Sequence, residues 1–111
     1  WSECIKTRDR KTSPLCRICG RRVGTVAYHI VPKVDGHHVR WRLDNGVLAC
    51  SPCNGGENWN RNLYRKKHEG IFGKEFMDTM HSRALMGRGH PVDRLAVNLM
   101  LKQELGRLRG T

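Results

Sequence analysis

Four cysteines stand in two pairs, Cys16 with Cys19 and Cys50 with Cys53, each pair two residues apart and the pairs separated by thirty residues. Two-residue spacing lets both thiolates of a turn point at one ion about 2.3 Å away, and two such turns close a tetrahedron around zinc. Gly20, directly after the first pair, can take the positive φ that a metal knuckle requires. The competing reading is a disulfide framework, but an odd count of five cysteines and the lack of an apolar signal core argue for metal. Four thiolates leave the ion no open position, so this zinc is expected to hold the fold and not to perform chemistry. Cys4 is left over, and is read as a half-buried small hydrophobe.

The reactive candidates lie between and just after the pairs. His29 follows Cys19 by ten residues, Asn45 precedes Cys50 by five, and Asn54 follows Cys53 directly. Joining the knuckles at one ion folds the intervening segment back on itself and is expected to line a cleft with an imidazole and two amides. Such a set suits metal-assisted phosphodiester hydrolysis. An imidazole with a pKa near ~6.5 takes a proton from water at neutral pH. An amide oxygen can hold a hard divalent cation that keeps most of its waters, and the second amide can fix the imidazole tautomer. Taken alone, a histidine in an apolar run is more often a core residue; order and spacing favour the chemical reading.

The elements that must position these residues follow from pattern. Trp1 to about Asp9 reads as a short helix carrying a basic cluster, ended by the turn at Ser13-Pro14. The β-branched, apolar stretch "GTVAYHIVP" reads as a strand stopped by Pro32. In "HHVRWRL", Val39, Trp41 and Leu43 alternate with His38, Arg40 and Arg42, which predicts a half-exposed strand with the arginines on its open face. "DNG" is a turn and "VLAC" a buried strand entering the second knuckle. A helix-compatible region follows Asn54, with Arg61, Arg65, Lys66 and Lys67 outward and Leu63 and Tyr64 inward. Gly70 and Gly73 interrupt it. "KEFMDTMHSRAL" puts Phe76, Met80 and Leu85 near helical spacing. After "GRGHP", Val92, Leu95, Ala96, Leu99 and Met100 form an amphipathic stripe continued by Leu105 and Leu108. The organisation expected is a core over residues 1–69 and a helical extension over 70–111, packed on the same domain.

The whole-chain numbers agree. At 111 residues, with 38% hydrophobic and 6% aromatic residues, the core is thin and a metal cross-link is a natural supplement. Twenty-one Lys and Arg against ten Asp and Glu give a net charge of +11, the footprint of a polyanion-binding protein, nucleic acid first. Arg40, Arg42, Arg61, Arg65, Lys66 and Lys67 are the candidate phosphate contacts. No stretch approaches the ~20 apolar residues of a membrane span, so a cytoplasmic protein with no membrane partner is expected.

The arrangement "CRIC…YHIVP…G…DNGVLACSPCN" resembles the HNH, or ββα-metal, endonuclease superfamily in its zinc-stapled form, over about residues 4 to 60. "RWRLDN", "CSPCN" and "NRNLY…GIFGKE" are similar to the phage Rap/NinG recombination nucleases and to phage endonuclease VII. The resemblance implies an α+β fold with a ββα-metal core and a DNA endonuclease leaving 5′-phosphate and 3′-hydroxyl ends, in the host cytoplasm if phage-encoded. It implies that His29 is the general base, Asn45 the residue that orients that histidine or its loop, and Asn54 the ligand of a catalytic Mg2+ or Mn2+, an HNN variant. Many relatives carry an Asp as second ligand just before the histidine; here that position is Tyr28. His37 or His38 is the candidate replacement. His68, His81 and His90 match no motif and are expected at the surface. From another class comes a non-catalytic zinc-ribbon-like nucleic-acid-binding module. A third reading is a homodimer, or a scaffold that docks on a larger phage or recombination assembly through the C-terminal stripe.

Overall fold

The computed structural model describes residues 1–32, 39–55, 61–87, 90 and 92–110, with the side chains of residues 61–64 outside the description. His37 and His38 lie outside the described residues, as do the side chains of Arg61, Leu63 and Tyr64. Among the described residues the fold is mixed: five α-helices and one two-stranded antiparallel sheet. The helices are α1 (Ser2–Arg10), α2 (Ser51–Gly55), α3 (Arg61–Phe72), α4 (Lys74–Met86) and α5 (Arg94–Gly110), and the strands are β1 (Val26–His29) and β2 (Gly46–Ala49). None of the described helices is long and apolar enough to cross a membrane.

The hairpin is the centre of the molecule. Val26 faces Ala49 and Tyr28 faces Val47 across the ladder, while Ala27 pairs with Leu48 and His29 with Gly46. Bonds from Thr25 N–H to Ala49 O (2.8 Å) and from Ile30 N–H to Asn45 O (3.0 Å) extend the pairing at both ends. Because side chains alternate across a strand, Val26, Tyr28, Val47 and Ala49 share one face and Ala27, His29, Gly46 and Leu48 the other.

Each face is covered differently. On the Tyr28 face, Cys16, Tyr28, Ile30, Ala49, Cys50 and Met77 form one buried cluster, with Cys53, Phe72 and Phe76 packed against it. On the His29 face lies α1, whose Ile5, with Trp1 just ahead of the helix, approaches Gly46 so closely that a Cβ there would fall 2.4 Å from the Trp1 ring. Only glycine fits beneath that indole. Helix α5 returns against α1, where Leu101 and Leu108 bury with Cys4. The Cys4 thiol donates to Leu101 O at 3.2 Å.

Two expectations are corrected here. "HHVRWRL" is not a strand where it is described: Val39 is buried with Val31, Met80 and Ala84, and two successive turns follow, Arg42 N–H to Val39 O and Asn45 N–H to Arg42 O, both 3.1 Å. The second turn is the 3-10 segment Leu43–Asn45. Alternation in the letters lost to local turn bonds, since among the described residues no strand lies beside this segment to pair with it. The second correction concerns the C-terminal stripe. Leu95, Leu99 and Met100 are exposed, as is Leu85 on α4, whereas Leu101 and Leu108 are the buried residues of α5. The apolar residues of α5 cover more than one helical face, and contact with α1 selected the face centred on Leu101.

Candidate metal centre and the His29 site

The two knuckles meet at the end of the hairpin where β1 begins and β2 ends. The first is closed by Cys16 N–H to Arg22 O (2.8 Å) and Gly20 N–H to Cys16 O (2.9 Å), with Gly20 at φ +67° as the sequence required. The second is the entry to α2, where Asn54 N–H bonds Cys50 O at 3.1 Å. The sulfurs of Cys16, Cys19, Cys50 and Cys53 all lie within 4.8 Å of one another, and those of Cys19 and Cys50 are 3.9 Å apart. A tetrahedron with bonds of about 2.3 Å has edges of about 3.8 Å; the Cys19–Cys50 pair already has that spacing and the other pairs lie within about 1 Å of it, so the cluster is the size of a zinc site.

Their electrostatics point the same way. The backbone N–H groups of Arg21 and Arg22 hold the Cys19 thiol down at about 6, whereas burial and the neighbouring sulfurs, Cys50 first, push Cys53 up to about 12. Four crowded sulfurs cannot all ionise against each other without a cation among them. Zinc removes that conflict by taking every sulfur as thiolate.

Away from the sulfurs, the opposite end of the hairpin carries His29. Its ring stacks on Trp1, with centroids 4.1 Å apart and planes 11° from parallel, and meets the Trp41 ring edge-on at 6.5 Å. Trp1 is held in turn by its indole N–H donating to Arg42 O at 2.9 Å. Asn45, fully buried, clamps the backbone beyond His29: its Oδ1 accepts from Val31 N–H at 2.7 Å and its Nδ2 donates to Val31 O at 3.2 Å. Replacing Asn45 with alanine leaves both Val31 groups buried without these partners, and should cost about 2–5 kcal/mol of unfolding free energy by denaturant titration. A smaller loss than about 1 kcal/mol would mean that the clamp is incidental.

These contacts join His29 to Trp1 and Trp41, and Asn45 to Val31; they do not join either residue to Asn54. Asn54 follows Cys53 on α2, and Cys53 packs on the Tyr28 face of the hairpin, across the sheet from the His29 face. No second group of three or more Cys, His, Asp or Glu side chains placed to hold a metal accompanies the four sulfurs among the described residues.

Tyr28 takes a different partner. Its hydroxyl is 2.5 Å from His68 Nε2, and His68 is 1% exposed, packed beside Phe72. The surface position expected for His68 is thus wrong: helix α3 turns it inward to meet a buried phenol. Burial, reinforced by the charges of Lys67 and His81, pulls its pKa down to about 4. That value lies below the ordinary ~6.5, so the unfolded chain takes the proton first as pH falls. The neutral ring's contribution is complete above ~6.5, shrinks as pH drops, and is gone near 4, a loss on the order of 3 kcal/mol. The expected result is a shallower acid decline of stability in a Tyr28→Phe/His68→Phe double variant than in the parent; parallel pH curves would contradict it. The comparison cancels proton uptake by the sulfurs, which both proteins share.

The basic residues divide between surface and structure. Arg65, Lys66 and Lys67 are exposed on α3, with Arg65 reaching Glu69 and Asp78. Arg42 is exposed and paired with Asp44. Arg40 lies with its guanidinium 4.3 Å from the Trp41 ring centre, half-buried, and not on the open face of a strand. Sequence reasoning missed the braces of the His29 face. Arg8 donates to Leu43 O and Gly46 O, both at 2.7 Å, and Asp9 Oδ2 accepts from Leu48 N–H at 2.8 Å. Their signal was "IKTRD" ahead of the first knuckle, a charged helix end with no evident surface role. The chain matches no protein-family model, no curated protein and no solved structure.

Proposed function

We propose that this chain is a zinc-stapled nuclease of the ββα-metal type that hydrolyses DNA phosphodiester bonds with His29 as general base. The observation that carries the reading is the Asn45 clamp on Val31, which fixes the chain two residues beyond His29 from a fully buried amide. This is the role the resemblance gives the middle asparagine. The four-sulfur cluster supports it as the staple from which the hairpin and α2 spring. Zinc held by Cys16, Cys19, Cys50 and Cys53 supplies structure. A divalent cation, Mg2+ or Mn2+, would polarise the phosphate, with the Asn54 amide oxygen as its protein ligand and water and substrate oxygens as the rest. His29 would take the proton of the attacking water, and the exposed cations of α3 would hold the DNA backbone.

A second reading rests on an observation of its own. Tyr28 stands where many members of that superfamily have a ligand Asp, and it is bonded to His68 inside the core. That favours a zinc-stabilised module that binds nucleic acid without cutting it. Plasmid nicking across a panel of divalent ions, with His29→Ala beside the parent, separates the two: a nuclease loses cleavage and keeps binding, whereas a binding module shows no cleavage to lose.

A further inference from the structure

Beside His29 the structure holds a cavity of about 460 Å³ between the 3-10 turn and α5. Its walls are Trp41, Leu43, Val92, Val97 and Met100, with Arg42 and Asp44 as the polar members. The volume falls within the ~300–1,000 Å³ range of small-ligand sites, which are mostly apolar with a few polar groups. Trp41 is common to this cavity and to the His29 cluster, since its ring meets His29 on one side and carries the Arg40 guanidinium 4.3 Å from its centre. Arg40 Nε is buried and has no hydrogen-bond partner among the described residues.

We propose that this cavity receives one unstacked base of single-stranded DNA, stacked on Trp41, with Arg40 and Arg42 facing the adjoining phosphates. The occupant follows from charge and shape together. An apolar cavity with an aromatic wall and arginines beside it, on a chain of net charge +11, offers a planar base its two needs, a π-face to stack on and cations for its backbone. Asp44 pairs with Arg42 at the rim and leaves most of the chain's positive charge unbalanced, so an anionic backbone suits the site better than a neutral or basic protein segment. The proposal deepens the nucleic-acid half of the proposed function and does not depend on hydrolysis.

The test uses the full zinc-loaded chain without added divalent metal, so that no cleavage intervenes. Its probes are a single-stranded DNA carrying one 2-aminopurine and a perfectly paired duplex of the same length. In the parent protein, saturating binding should quench the 2-aminopurine through stacking on Trp41. In Trp41→Leu the quenching should vanish at saturation and single-strand affinity should fall about 5- to 100-fold, with duplex affinity and zinc content unchanged. Met100→Gln, at an exposed position of the wall, should weaken single-strand binding in the same direction without loss of melting temperature. Equal quenching in parent and Trp41→Leu, or equal loss of single-strand and duplex affinity, overturns the proposal. So does concentration-dependent self-association that Met100→Gln abolishes while single-strand affinity stays unchanged, since the cavity would then belong to a second copy. If base stacking is found but no ion panel gives cleavage, this inference stands and the nuclease reading falls.

Discussion

Cys50→Ser should abolish stoichiometric zinc binding and cooperative unfolding together, while Cys4→Ser should leave the zinc in place and cost about 1 kcal/mol. The contrast follows from where the five sulfurs sit. Cys50 lies within the four-sulfur cluster and is also part of the buried group with Tyr28, Ile30 and Met77, so the ion and the core share atoms. Cys4 is buried elsewhere, against α5, with its thiol donating to Leu101 O. Structural zinc contributes about 10–16 kcal/mol of apparent binding energy in small zinc-finger peptides, against a total stability of about 5–15 kcal/mol for a typical domain. A protein with so few large apolar residues cannot absorb that loss. Metal content measured with far-ultraviolet circular dichroism gives the answer for each variant. A folded, cooperative Cys50→Ser protein would show that the hairpin does not need the ion.

Replacing His29 with alanine should lower the rate of DNA cleavage by about 10²- to 10⁴-fold, the usual contribution of a general base. Zinc content should be unchanged, because His29 stands at the opposite end of β1 from the knuckles and its neighbours are Trp1 and Trp41. DNA affinity should stay within about 2-fold, since binding is dominated by phosphate contacts and the substitution removes none of the arginines or lysines. Deleting a ring stacked on Trp1 costs some packing, so the assay belongs below the melting temperature of the variant, with His29→Gln as a companion that keeps polarity. Loss of binding in step with loss of cleavage would make His29 a structural residue of the Trp1–Trp41 stack and not a base.

How much was legible in the sequence depended on whether the deciding interaction was local. The knuckles were readable because two-residue spacing and a following glycine are local geometry, and Gly20 has the positive φ it was assigned. The hairpin strands were readable from β-branched runs, and α1, α4 and α5 from their spacing. Failures came where a distant partner decided. Val39 to Leu43 alternates like a strand, but Val39 found Val31 and Met80, and the backbone turned back on itself. Helix α5 offered apolar residues around much of its circumference, and only packing on α1 could choose Leu101 and Leu108 over Leu95 and Leu99. His68 carried no motif because its partner, Tyr28, is forty residues away in sequence. The site divides the same way. Asn45 clamps Val31, two residues beyond His29, while Asn54 stands on α2 directly after the fourth sulfur.

The most direct measurement is the fate of DNA itself. Zinc-loaded protein, freed of loosely held ions, is mixed with supercoiled plasmid and with nicked and branched duplexes, first alone and then with Mg2+ or Mn2+. The account predicts no cutting until the divalent ion is added, then breaks that DNA ligase can reseal, as 5′-phosphate and 3′-hydroxyl ends allow, with the four-sulfur zinc retained throughout. DNA of every form left whole in both ions at stoichiometric protein, or cutting that proceeds undiminished in excess chelator, contradicts it.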